Sequence, residues 1–113
     1  MERAGWKRGV GEDIMPVIEQ GDILKVEKLN SPVLVVSKNF FNQSEEAIVC
    51  PIIKSAGLDP LHICIKAEDI SGFVLCEQMR LLDLRVRGFK KTGRIKYADI
   101  INITDAIQGI FDY

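Results

Sequence analysis

The chain has 113 residues, 47% hydrophobic and 27% charged, with 15 basic and 16 acidic side chains and a net charge of −1. That size predicts one domain able to bury roughly two-thirds of its unfolded surface without a disulfide or metal staple, and the near-neutral balance excludes bulk attraction to nucleic acid or membrane. No apolar run approaches the ~20 residues that span a bilayer, and "MERAGWKRGVGEDIMPVIEQ" has no signal-type apolar stretch, so the cytoplasm is the expected location.

Residues 1–20 mix charges, glycines and one tryptophan without periodicity and read as an N-terminal arm; residues 21–113 read as the domain. From Gly21 onward, "DILKVEK", "PVLVVSK", "EAIVCPII", "LHICIK" and "GFVLCEQMRLLDL" are short runs rich in Val, Ile and Leu. Turn-forming clusters ("KLNSP", "NFFNQSEE", "KSAGLDP") separate them. This spacing predicts a mainly antiparallel β-barrel or sandwich of five or more strands within residues 21–96. Pro32 and Pro51 read as residues at or near strand starts, where no ladder hydrogen bond is needed. Alternation assigns Ile23, Val26, Leu34, Val36, Ile48, Cys50, Ile63, Ile65, Val74 and Cys76 to the core.

Cys50, Cys64 and Cys76 are odd in number and lack a C-x-x-C spacing, so neither a disulfide framework nor a zinc site is indicated. Each lies in an apolar run and is expected to be a small buried hydrophobe. His62, the only histidine, is expected at a strand surface or in the core, and not as a ligand or general base. At the C-terminus, Ile100, Ile103, Ile107 and Ile110 recur at helical spacing and predict a helix over roughly 97–111 packed on the barrel.

Between residues 80 and 96 lie Arg80, Arg85, Arg87, Lys90, Lys91, Arg94 and Lys96, with Asp83 as the only acid. This basic hairpin or loop suits a phosphate backbone, because Lys and Arg displace condensed counterions. A solvated face, or a patch for an acidic protein partner, accounts for the same charges. Only Phe89 interleaves them, so base stacking has little support.

Taken in order, "GDILKV", "SPVLVVSKNFFN", "AIVCPIIKS", "LHICI", "SGFVLCEQMRLLD" and "RVRG", then the predicted helix, resemble the MazF/PemK toxins of bacterial toxin–antitoxin systems over about residues 20–113. The most specific piece is "GFVLCEQMRLLD", with Glu77, Gln78, Arg80 and Asp83. The resemblance implies a small SH3-like antiparallel β-barrel (MazF/PemK/CcdB-like) with a C-terminal α-helix, forming a homodimer. It also implies cleavage of single-stranded RNA without metal or other cofactor, and an antitoxin whose acidic tail folds into the RNA groove.

Metal-free cleavage through the ribose 2′-OH needs a proton acceptor, an acid for the leaving 5′-oxygen, and donors for charge building on the phosphorus. The family places an arginine just before the second-strand proline and a threonine two residues after the later proline. The matching positions here hold Ser31 and Ile53. Isoleucine cannot transfer a proton, and serine cannot replace a guanidinium that donates and neutralises charge together. The connection "KVEKLNSP" is also shorter than the family's usual loop. One reading is a toxin-fold protein with weakened or absent catalysis that binds RNA or an antitoxin-like partner, with Arg80, Arg85, Arg87 and Lys90 on the phosphates. The other is an active endoribonuclease (mRNA interferase) with a rebuilt site, using Glu77 or His62 as proton acceptor and Arg80, Arg85 or Lys54 as electrophile.

Overall fold

The computed structural model describes residues 17–67 and 70–111. Most of the expected N-terminal arm, residues 1–16, therefore lies outside the described residues. Among the described residues, seven strands and two helices follow in the order β1 (Asp22–Val26), β2 (Val33–Val35), α1 (Asn39–Asn42), β3 (Glu46–Ile53), β4 (His62–Ala67), β5 (Ile70–Leu75), β6 (Arg80–Asp83), β7 (Phe89–Arg94) and α2 (Tyr97–Phe111). The strands form one curled antiparallel sheet, ordered β4-β5-β3-β2-β1-β7, with β6 also on β3. Strands β4 and β7 remain edges, so the sheet is a half-barrel.

The sheet buries both faces. Ile23, Leu34, Cys50, Ile52, Ile65, Val74 and Cys76 lie on one side with Ile95 and with Ile103 of α2. Leu24, Val26, Val33, Val35, Ala47, Val49, Leu82 and Phe89 lie on the other, together with Ile18. The unbroken apolar reading of β2 and β3 follows from this double burial. Val26 is buried as expected, but on the opposite face from Ile23, because a strand alternates with period two and the residues are three apart. Ile48 and Ile63 are only half-buried, packed against the rim of the first cluster. Cys64, expected inside, is exposed on edge strand β4.

Strand β3 organises the curl. Its Glu46–Val49 part pairs with β6 and its Ile52–Ile53 part with β5, while Val49–Pro51 pair with β2 on the opposite edge. Pro51 therefore sits inside the strand and not at its start. The Ile52 N–H donates to Pro32 O on the β2 side at 2.9 Å. Successive amides alternate, so the missing N–H of Pro51 would point to the other edge, where β6 has ended and β5 has not begun. Gly72 permits the close crossing of β5, since a Cβ there would lie 2.5 Å from Ile53 O. The expected single run "GFVLCEQMRLLDL" is thus two strands on different stretches of β3, broken at residues 76–79.

Helix α2 occupies the expected span, with Asp99 in its first turn, where a carboxylate complements the helix dipole. Ile103 is buried and Ile100, Ala106 and Ile107 are half-buried against the first cluster. Ile110, at the end of the expected stripe, is exposed. The "NFFNQSEE" cluster holds a single helical turn, α1. Buried Asn42 fixes it by donating through Nδ2 to Ser37 O at 3.1 Å and to Ile18 O at 3.4 Å. No described helix is long and apolar enough to cross a membrane.

Candidate functional site

The β2–β3 register pairs Val33 with Pro51, Leu34 with Cys50 and Val35 with Val49. The Ile52-to-Pro32 hydrogen bond extends it, and one step further sets Ser31 opposite Ile53. By that register the two residues that the resemblance assigns to catalytic positions, 22 apart in the chain, fall at the same end of the β2–β3 pair. Beside them opens a cavity of about 440 Å³ lined by Pro32, Ile52, Ile53, Lys54, Ile70 and Ser71. Its lining carries one ionisable group, Lys54, and one hydroxyl, Ser71. Among the described residues, no carboxylate or imidazole lines it.

Glu77 and His62 are brought together, and neither lines that cavity. His62 pairs with Leu75 across β4–β5, while Ile53 pairs with Phe73 on the other side of β5. The Nε2 of His62 lies 3.0 Å from Glu77 Oε2, and Nδ1 lies 2.7 Å from Gly57 O. The Gly57 carbonyl first, then the Glu77 carboxylate, raises the imidazole pKa; the same hydrogen bond from His62 lowers that of Glu77. Arg80 is exposed and sits opposite Val49, four residues along β3 from Ile53. At roughly 3.3 Å per residue that is about 13 Å, beyond hydrogen-bond reach of the Ile53 position.

The basic segment is not a hairpin. Its two strands pair with different partners, β6 with β3 and β7 with β1. Arg85 is held by Asp83 in a fork, Nε to Oδ1 at 2.9 Å and Nη2 to Oδ2 at 2.9 Å, which keeps the Asp83 carboxyl below its usual range. Lys91 and Arg94 both close on Asp22, at 3.1 and 2.8 Å. Asp22 is buried and also accepts the Glu19 N–H at 2.8 Å, so this ion-pair knot ties the start of β1 to the end of β7. Arg80 and Lys96 are exposed and Arg87 is half-buried, and among the described residues none of these three forms an ion pair. Lys90 is exposed and lies directly across from Lys25. Phe89, the one aromatic in the segment, is fully buried and offers no stacking face.

Residues 19–111 match the sequence model of the PemK-like, MazF-like toxins of type II toxin–antitoxin systems. The chain belongs to that family. Solved structures agree on the fold. MazF in a MazE–MazF structure from Deinococcus radiodurans superposes with a TM-score of 0.78 at 21% identity, covering 86% of this chain and 98% of that one. An endoribonuclease from a Mycobacterial species gives 0.75 at 19% identity, covering 88% and 95%. A Mycobacterial endoribonuclease in complex with its cognate antitoxin gives 0.73 at 17%, covering 83% and 94%. No protein of curated function matches the sequence.

As a member of the PemK/MazF-like family the chain keeps the fold, with Ser31 and Ile53 at the end of its β2–β3 pair. Sequence reading missed the Asp22 knot. The signal was the buried-strand context of "GDILKV", which places an acid where only a paired acid can stay. It also missed the pairing of His62 with Glu77, because residues 15 apart meet only once β4 and β5 are in register.

Proposed function

We propose that this chain is a toxin-fold binding protein of a toxin–antitoxin type system, with RNA cleavage weakened or lost. The observation that carries the proposal is the cavity beside Ile53, whose described lining offers Lys54 and Ser71 and, among the described residues, no carboxylate or imidazole to accept the 2′-OH proton. Its ligand is single-stranded RNA or the acidic segment of an antitoxin-like protein. Arg80, Arg87 and Lys90 supply the phosphate or carboxylate contacts, and Arg85 contributes less because Asp83 already neutralises it. The reading takes the protein as a cytoplasmic homodimer. Exposed Tyr97, Ile101 and Phe111 on α2 support a face covered by another protein. MazF from D. radiodurans is solved with MazE, and a Mycobacterial endoribonuclease with its antitoxin, which supports an antitoxin-like partner here.

Active, metal-independent cleavage is the second reading. Lys54 and the Ser71 hydroxyl favour it, as a cation and a donor on the cavity wall. Induced expression in a bacterium separates the two. Continued growth with intact mRNA is expected; growth arrest with mRNA loss would establish the enzyme.

A further inference from the structure

His62 has an acceptor on each side of its ring, the Gly57 carbonyl on Nδ1 at 2.7 Å and the Glu77 carboxylate on Nε2 at 3.0 Å. A neutral imidazole carries one N–H and can satisfy one of these; only the imidazolium donates to both. Gly57 lies in segment 54–61, which joins β3 to β4 and begins with Lys54 on the cavity wall. Packing does little to hold this segment. Leu58 at its tip is fully exposed, a Cβ at Gly57 would have nothing within 4 Å, and Lys54, Ser55, Asp59 and Pro60 are exposed. Its own hydrogen bonds fasten the far end: Asp59 Oδ1 accepts the Leu61 N–H at 2.8 Å, and Asp59 O accepts the His62 N–H at 3.0 Å. The His62 bond reaches further back, to Gly57, and anchors the segment to the turn after β5.

We propose that protonated His62 is a clamp that fastens the 54–61 loop to Glu77 and so positions Lys54 at the mouth of the Ile53 cavity, and that loss of the proton releases the loop. Among the described residues the charged groups acting on the ring are Glu77, from the turn after β5, and Asp59, from the loop; both are acidic and both favour the imidazolium. Glu77 itself is held on the ionised side, so the switch belongs to His62. Because the folded-state pKa is raised, the clamp is complete below the ordinary imidazole value of about 6.5 and is lost as pH rises through the higher folded value. The clamp stands on geometry alone; its effect on ligand binding rests on the cavity reading given above.

Nuclear magnetic resonance of the full chain across pH tests the clamp. The His62 ring is expected to titrate above 6.5, with the Gly57 and Leu58 amide shifts following the same midpoint and the backbone order of Leu58 falling above it. Glu77→Gln should lower that midpoint and carry the loop transition down with it. His62→Gln should erase the pH step in the loop amides and leave those of β3 in place. A ring that titrates at or below the ordinary value, or loop amides indifferent to its midpoint, would overturn the clamp. If the loop follows His62 while retention of a mixed-sequence RNA does not change over that window, the clamp stands and the cavity is not the RNA site.

Discussion

Ile53 gives the cavity a side chain that neither donates nor accepts a hydrogen bond, and Ser31 across from it lacks the charge of a guanidinium. One preorganised donor is worth about 2.7–4 kcal/mol of barrier, or about 10²–10³ in rate. The single change Ile53→Thr should therefore leave cleavage near background, whereas Ser31→Arg with Ile53→Thr should produce measurable cleavage of single-stranded RNA. A fluorogenic oligonucleotide assay checks this, and an inactive double variant that is folded would show that more than two side chains are missing. Asp22 carries a different burden. Removing one partner of a buried ion pair costs about 3–5 kcal/mol because the other charge is stranded. Lys91 and Arg94 keep 35% and 49% of their side-chain surface in water and can rehydrate. Asp22→Ala should therefore fall at or below the lower end of that range in urea denaturation, with β1 and β7 losing protection first.

The elements were legible where one physical rule acted alone. The Ile stripe fixed α2 over residues 97–111 because helical spacing met a single apolar surface. Short apolar runs bounded by turn-forming clusters located the strands in β1 to β5, and the runs "SPVLVVS" and "AIVCPIIKS" pair as β2 and β3. Legibility failed where one strand serves two neighbours. Pro51 looks like a strand start, yet lies inside β3 because the break between β6 and β5 removes the need for its N–H. The basic segment looks like one patch in sequence, but Asp22, about 70 residues away, takes up Lys91 and Arg94, and a local fork takes up Arg85. This sets an order among the cations. Charge reversal at Arg87 should weaken RNA retention more than reversal at Arg85. Both should act alike on every RNA sequence, because phosphate contacts position without reading bases. Filter binding over a salt series reads this directly; a larger loss at Arg85 would mean that the Asp83 fork opens when the ligand binds.

At the scale of the whole molecule, the half-barrel carries two candidate surfaces. The Ile53 cavity opens near the crossing of β3 and β5 with Lys54 on its wall, and the cations of the 80–96 segment that form no ion pair among the described residues lie on β6, the 84–88 turn and beyond β7. On the proposed reading the cations hold a polyanion while the cavity delivers no proton acceptor to a ribose. The most direct measurement incubates purified protein with a mixed-sequence single-stranded RNA, with and without EDTA, and follows both retention and new ends. The account predicts that the RNA stays intact and is retained with an affinity that falls as salt rises, with a log–log slope of about −0.7 per phosphate contacted. Fragments ending in a 2′,3′-cyclic phosphate, formed equally well in EDTA, would contradict it.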